Sequence, residues 1–111
     1  MGYKKKGLPI DGWLNIDKPE GITSTAVTNR VKKLLNASKV GHGGTLDPMA
    51  TGVLPLAFGE ATKILTYVVD RLKEYSFIVR WGESRTTDDA EGAVIGKSKR
   101  RPGQKEILSI L

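Results

Sequence analysis

The sequence has no cysteine, no long hydrophobic run and few aromatic residues. Without cysteine the chain can build neither a disulfide framework nor a thiolate metal site, and it has no thiol nucleophile. No apolar stretch approaches the roughly 18–20 residues of a membrane span, and residues 1–9 lack the hydrophobic stretch of a signal peptide. These absences predict a soluble, cytoplasmic protein that does not contact membranes.

The 111 residues are enough for one small domain or for part of a larger one. The formal net charge is +6, and most of the excess lies in a basic tail, residues 1–9, and in residues 97–105. Between Glu20 and Asp47 there is no acidic residue, but there are four cations: Arg30, Lys32, Lys33 and Lys39. Such a stretch is usually a solvated face, yet it could also dock against a phosphate backbone.

Hydrophobic periodicity predicts a strand at residues 12–17 and then a helix. Thr23 or Ser24 can cap this helix. Its apolar residues recur at helical spacing: Val27, Val31, Leu34 and Leu35. A second strand is predicted at residues 53–58, where Pro55 favours an edge or a bulge over a central position.

A second amphipathic helix is predicted over residues 61–69, and over Tyr75–Trp81 the hydrophobic period changes to that of a strand. A polar loop at residues 83–92 leads to a short strand at residues 93–95, and residues 104–111 begin a helical pattern. We expect an α+β fold, with a mixed or antiparallel sheet and flanking helices. The last helix has an apolar stripe without a partner, which indicates that the fold is truncated.

The most irregular stretch is residues 36–52, a glycine-rich segment that holds the only histidine, His42. A dinucleotide-binding fingerprint that starts at Gly41 would need a glycine at position 46, where the chain has Leu46. The Gly-Lys-Ser/Thr of a phosphate-binding P-loop is also absent. One histidine without cysteine cannot assemble a usual zinc site, so we expect no metal. A Ser-His-Asp triad with Ser24 or Ser38 is formally possible, but no nucleophile-elbow sequence supports it.

Asp47 lies in this segment and precedes Pro48. An aspartate in this position often caps a helix that has proline at its first residue. That interpretation leaves Gly41, Gly43 and Gly44 unexplained. Glycines allow positive φ and let backbone amides come close to a bound group, and the start of a helix needs neither. The alternative is a carboxylate held at a fixed angle above the loop, where it can act as nucleophile or base.

The same residues resemble the signature of the TruB family of tRNA pseudouridine synthases, relatives of dyskerin. The resemblance is strongest from Gly41 to Pro48 and through Ala50–Pro55. It extends upstream to Asp17-Lys18-Pro19 with Gly21, Thr23 and Ser24, and downstream to Gly59–Lys63, Tyr75 and Asp88–Gly92. In total it covers roughly residues 10–97.

The resemblance implies an isomerase that converts uridine 55 in the T loop of tRNA to pseudouridine, without cofactor or metal. Asp47 matches the family's catalytic aspartate, which attacks the uracil ring or the sugar C1′ of a flipped-out nucleotide. The residues implied to bind RNA or to lie near the target base are His42, Gly43, Gly44, Thr45, Lys63, Tyr75, Asp89, Arg30 and Lys33. Taken alone, a loop histidine, a strand tyrosine and an aspartate in a Thr-Thr-Asp-Asp turn are more often structural. Lys18 and Gly21 look like supports of the glycine-rich segment.

Full-length relatives are roughly two to three times this length, and their later motifs, including the arginine that pairs with the catalytic carboxylate, have no counterpart here. Residues 10–111 are therefore expected to form the N-terminal portion of the catalytic domain, without its C-terminal part and RNA-binding appendage. A monomer acting on the T arm of tRNA would be active only when the missing portion is supplied, for example as a separate chain. The alternative is a non-catalytic RNA-binding or tRNA-chaperone remnant.

Overall fold

A computed structural model describes residues 6–111 and divides the chain into two units, Met1–Lys73 and Glu74–Leu111. Residues 1–5, which include most of the lysines of the predicted basic tail, lie outside the described residues. The end of that tail is attached to the first unit, because Leu8 forms a parallel bridge with Ala37 and accepts a 2.8 Å hydrogen bond from the Ser38 amide. Within residues 6–111, no helix combines the length and the apolar character of a membrane span.

The first unit is a three-stranded antiparallel sheet with helical segments on both faces. Its elements are β1 (Gly12–Lys18), α1 (Ser24–Leu35), β2 (Val40–His42), β3 (Gly52–Phe58), a 3₁₀ segment (Gly59–Ile64) and the short helix α2 (Leu65–Val69). The strand order is β1-β3-β2, and the register sets Lys18 opposite Gly52 and Gly12 opposite Phe58. The expected α+β architecture is therefore present, and β2 lies inside the irregular glycine-rich segment, residues 36–52.

β3 is the central strand, so the prediction that Pro55 marks an edge is wrong. The Pro55 carbonyl accepts a hydrogen bond from the Gly43 amide at 3.0 Å, which turns the backbone polar groups of Pro55 towards the β2 side. On that side β2 has already ended at His42. The missing N–H of proline would have pointed to the same side, so its absence costs no hydrogen bond between β1 and β3. Proline is tolerated in the central strand because one of its neighbouring strands is short.

α1 covers one face of this sheet and closes the core. The fully or nearly buried apolar residues of the core are Val27, Ala37, Leu54, Leu56 and Phe58.

The Thr23 side chain caps α1 by accepting a hydrogen bond from the Ala26 amide at 3.0 Å, as predicted. Leu34 and Leu35 are 77% and 43% exposed, so their predicted places on the buried stripe are wrong. Burial is concentrated in the first half of α1, where Ser24, Val27 and Thr28 face the sheet.

The second unit consists of an antiparallel hairpin and a helix. β4 (Glu83–Arg85) pairs with β5 (Val94–Lys97), and α3 (Gln104–Ile110) follows. β5 and α3 match the predicted short strand and terminal helix. β4 falls within the predicted polar loop, because its partly buried face is formed by the charged pair Glu83 and Arg85, so no apolar alternation marks the strand.

The predicted aromatic strand Tyr75–Trp81 is not present. Residues 72–80 have no regular secondary structure, and Tyr75 and Phe77 are 63% and 73% exposed. The alternating pattern is present, but a strand also requires a neighbour for its backbone hydrogen bonds. None of the described residues pairs with this segment.

Candidate functional site

The candidate site is the connection between β2 and β3, with Asp47 at its centre. The Asp47 side chain is exposed, and within the described part of the first unit no cation forms an ion pair with it. No helix begins at Pro48; residues 48–49 form a turn that the Ala50 amide closes on the Asp47 carbonyl at 3.0 Å. The helix-cap interpretation is therefore wrong, and the carboxylate is presented to solvent.

Lys18 holds this connection from below. Its side chain is completely buried at the end of β1, and its ammonium donates to three backbone carbonyls. Two of these acceptors, Pro19 at 2.9 Å and Ile22 at 2.8 Å, belong to the turn after β1, and the third, Pro48 at 3.1 Å, follows Asp47 directly. A buried ammonium is tolerated only when its donors are satisfied, as they are here. These contacts agree with the interpretation of Lys18 as a support.

Ser24 and Gly21 fix the same connection from the side of α1. The buried Ser24 hydroxyl accepts from the Leu46 amide at 2.9 Å and donates to the Leu46 carbonyl at 3.1 Å. The Gly21 amide donates to the Pro48 carbonyl at 2.7 Å. The residues before and after Asp47 are thus both anchored by hydrogen bonds, while the carboxylate between them is left unpaired. The sequence analysis considered Ser24 as a cap, as a triad serine and as part of the family motif; its contact with Leu46, 22 residues away, leaves no local signal.

The glycines of the segment divide into two kinds. A Cβ on Gly41 would lie 2.8 Å from Leu65 Cδ1, and one on Gly43 would lie 3.2 Å from Val69 Cγ2, so these two glycines let β2 pack closely against α2. Of Gly41, Gly43 and Gly44, only Gly44 has a positive φ, 64°, and a Cβ there would meet nothing within 4 Å. Gly41 and Gly43 are therefore explained by packing, and the Gly43 amide already donates to the Pro55 carbonyl. Of the three glycines, only Gly44 is still expected to serve a bound group.

His42 ends β2 opposite Leu56, and Thr45 is exposed between Gly44 and Asp47. The Nδ1 atom of His42 is buried and has no hydrogen-bond partner; it is the one side-chain polar atom of the described residues in this state. Leaving a buried polar atom unpaired costs about 1–3 kcal/mol. The His42 side chain therefore keeps one unused hydrogen-bonding position at the end of β2.

The remaining predicted residues of the first unit lie on its surface. Arg30 and Lys33 are exposed on α1. Lys63 lies in the 3₁₀ segment and forms an ion pair with Glu60, whose hydrogen bond and negative charge raise the pKa of Lys63. Both partners are exposed, so this pair is screened by solvent.

Tyr75 and Asp89 belong to the second unit. Asp89 is bound within its own turn, where the Thr87 hydroxyl and the Glu91 amide donate to its carboxylate. The hydrogen bond from Thr87 is the main cause that lowers the pKa of Asp89, followed by that from Glu91. Arg85, which the sequence analysis did not single out, holds the other side of this turn by donating to the Gly92 carbonyl at 3.0 Å. Asp89 therefore has at least the structural role that its turn sequence suggests.

No group of three His, Asp or Glu side chains within residues 6–111 is placed to hold a metal ion. Comparisons with known proteins find matches over most of the chain. The family model described as "TruB family pseudouridylate synthase (N terminal domain)" matches residues 32–111.

Two curated relatives show the extent of the match. A tRNA pseudouridine synthase B of Gluconacetobacter diazotrophicus is 65% identical over 99 residues, which are 89% of this chain and 32% of the relative. The protein of the same name from Rhodospirillum rubrum is 57% identical over 111 residues, which are 100% of this chain and 36% of the relative. The chain thus spans about a third of the length of the curated relatives it matches.

Among solved structures, one chain in an H/ACA ribonucleoprotein bound to a substrate RNA containing 2′-deoxyuridine is similar to this chain. It is 40% identical with a TM-score of 0.50, and the match covers 60% of this chain and 24% of that one.

Proposed function

Because this chain belongs to the TruB family of pseudouridylate synthases, we propose that it supplies the catalytic aspartate of a tRNA pseudouridine synthase, with Asp47 as that residue and uridine 55 of the T loop as the target. The observation that supports this proposal is the anchored loop with its unpaired carboxylate. Lys18, Gly21 and Ser24 hold the residues on both sides of Asp47. A carboxylate held in this way needs little reorganisation before it attacks.

The reaction exchanges one glycosidic bond for another. The bond between uracil N1 and C1′ breaks, and a bond between C5 and C1′ forms. N1 takes up a proton, and the hydrogen on C5 leaves as a proton, so the overall change is an isomerisation that needs no oxidant or reductant. The Asp47 carboxylate forms a transient covalent bond to the ring or to C1′ and is released when the new bond has formed.

The other predicted residues take supporting roles in this proposal. His42, with its unpaired Nδ1, contacts the T loop where the target base is displaced, and the open surface at Gly44 and Thr45 lets the nucleotide approach. Tyr75 lies against the target base, and Asp89 helps to orient the catalytic arginine that the family resemblance implies. Lys63, Arg30 and Lys33 contact phosphates. The protein acts as a monomer on the T arm of tRNA in the cytoplasm.

Release of tritium from tRNA labelled at uracil C5 tests the proposal directly, because C5 loses its hydrogen only when pseudouridine forms. The chain is assayed alone and after fusion to the remaining part of the Gluconacetobacter diazotrophicus relative. We expect the fused protein to release tritium and its Asp47→Asn variant to release none above background. Asp70→Asn, a matched change at an exposed aspartate that ends α2, keeps the activity. Activity that survives Asp47→Asn would exclude Asp47 as the nucleophile.

A second function, RNA binding without catalysis, is favoured by the exposed cations of the first unit. Arg30, Lys32, Lys33 and Lys39 are exposed, and none forms an ion pair within residues 6–111. This function predicts tight, salt-sensitive binding of tRNA by the fused protein without tritium release.

A further inference from the structure

The second unit contains a basic cleft at the open end of the β4–β5 hairpin. Its volume is about 460 Å³, within the range of about 300–1,000 Å³ that is typical of small-ligand sites. Four cations, one carboxylate and one aromatic ring contribute to its lining: Arg80, Lys97, Lys99, Arg101, Glu83 and Trp81. None of these residues was assigned a role by the sequence analysis or by the proposed reaction.

The two sides of this cleft are held together by the backbone. The residue that follows β5, Ser98, donates its amide to the carbonyl of Gly82, the residue before β4, at 2.8 Å. Arg101 then folds back over this connection, and its Nη1 donates to the carbonyls of Ser98 and Arg100, both at 2.9 Å. A Cβ on Gly82 would lie 2.8 Å from Arg101 Nη2, so glycine at this position makes room for the guanidinium. The guanidinium is thus positioned before any ligand binds.

The positive charge of the cleft is largely uncompensated. Glu83 is bound by Arg85 at 3.0 Å and lies 3.8 Å from Arg80. Within residues 6–111, Lys97, Lys99 and Arg101 form no ion pair. Three unpaired cations in one concave site attract an anion more strongly than the same charges spread over a surface.

Trp81 distinguishes between the possible anions. Its side chain is 44% exposed and lines the same cleft as the cations. An acidic peptide would use the cations and gain little from the ring. A nucleotide uses both, because a base stacks on an aromatic face while the adjoining phosphates pair with lysine and arginine.

We propose that this cleft binds an unpaired nucleotide of RNA, with its base stacked on Trp81 and its phosphates bound by Lys97, Lys99 and Arg101. The choice of RNA rests on the proposed function, whereas the site itself does not depend on Asp47. In the chain's own reaction, such a subsite would hold a segment of the substrate that is not the target nucleotide.

The fluorescence of Trp81 tests this proposal in the complete chain. The chain has two tryptophans, so Trp13→Phe leaves Trp81 as the only one. We expect a single-stranded oligouridine RNA of about 12 nucleotides to quench its fluorescence, because stacking brings the base onto the ring. In a separate assay with labelled RNA, Trp81→Ala weakens binding by at least about fivefold and Trp81→Phe retains most of it.

Arg101→Gln and Arg100→Gln form a matched pair that tests the phosphate contact. Both remove one charge, but Arg100 pairs with Glu106 and does not line the cleft. Arg101→Gln is expected to weaken RNA binding and to reduce the slope of log affinity against log salt by about 0.7, the value for one phosphate on a single strand. Arg100→Gln is expected to leave both nearly unchanged. Circular dichroism of each variant shows that the fold is kept.

Several results would overturn the proposal. Equal effects of the two arginine variants would mean that net charge alone binds RNA, and the absence of quenching would mean that no base stacks on Trp81. If inorganic phosphate displaces the RNA at a concentration similar to that of the RNA, the cleft recognises phosphate alone and no base. Equally tight binding of polyglutamate would identify an acidic protein as the ligand.

The two proposals fail separately. Asp47→Asn should not change the quenching of Trp81. If the fused protein releases tritium but the cleft variants bind RNA normally, only the cleft proposal is refuted. If the cleft binds RNA as expected and no tritium is released, only the proposed reaction is refuted.

Discussion

Replacing Lys18 by methionine tests whether the buried ammonium determines the geometry of the loop at Asp47. Methionine keeps most of the aliphatic volume and removes the charge together with all three donors. A hydrogen bond from a charged donor contributes about 1.5–3 kcal/mol. Two effects offset the loss of three such bonds: the cost of burying the charge disappears, and water can bind the carbonyls of Pro19 and Ile22 in their turn. We therefore expect the first unit to lose about 3 kcal/mol of stability.

Urea denaturation of the chain measures this loss. With Trp81→Phe as background, the fluorescence of Trp13 on β1 reports on the first unit alone. A loss of this size shifts the midpoint by about 1–3 M, given slopes of about 1–3 kcal/mol per molar urea. Lys32→Met, at an exposed position of α1, is the matched control and should shift the free energy of unfolding by less than about 0.5 kcal/mol.

A second measurement separates a local from a global effect of Lys18→Met. The Gly21 amide donates to the Pro48 carbonyl. In Lys18→Met its hydrogen should exchange faster than the rate calculated from the measured loss of global stability. If Lys18→Met and Lys32→Met unfold alike and the Gly21 amide is unaffected, Lys18 does not hold the loop.

Two further predictions concern single positions. Gly59→Ala should destabilise the first unit by more than about 2 kcal/mol in thermal unfolding, because Gly59 has a φ of 59° and a Cβ there would collide with Asp11. Gly103→Ala, at a glycine of the second unit, is the control and should leave the unfolding of the first unit nearly unchanged. The pKa of Asp89 is lowered in the folded chain, so the stability that its hydrogen bonds contribute is complete above the ordinary aspartate range and is lost as the pH falls through the folded pKa. An NMR titration should show the Thr87 and Asp89 signals moving together below that range, and a carboxyl that titrates at the ordinary value would contradict this.

The sequence predicted those elements whose hydrophobic pattern and packing agree. β1, the capped start of α1, β3 and α3 all combine a clear period or capping residue with the expected length. That the segment around Asp47 is functional stays a prediction; it rests on glycines next to a carboxylate, which are unusual in an ordinary loop. The absence of a helix at Pro48, which rules out the helix-cap interpretation of Asp47, became visible only in the structure.

The errors come from interactions between residues that are distant in sequence. Pro55 suggests an edge strand because the shortness of β2 cannot be read from local pattern. Gly41 and Gly43 look like ligand-binding glycines because the approach of α2 is invisible in sequence. Tyr75–Trp81 has the right alternation for a strand and lacks a partner among the described residues. In each case a correct local preference was overridden by what packs against it.

The anchoring of the Asp47 loop also sets an order of events in folding. β2 and β3 are close in sequence and can pair early, because closing a short connection costs little chain entropy. The bonds that shape the loop come later, since Lys18 reaches Pro48 across 30 residues and Ser24 reaches Leu46 across 22. The position of the carboxylate is thus established near the end of the process, after β1 and α1 have arrived. A β2–β3 hairpin that formed alone would still lack the hydrogen bonds from Lys18 and Ser24 that hold the Asp47 loop.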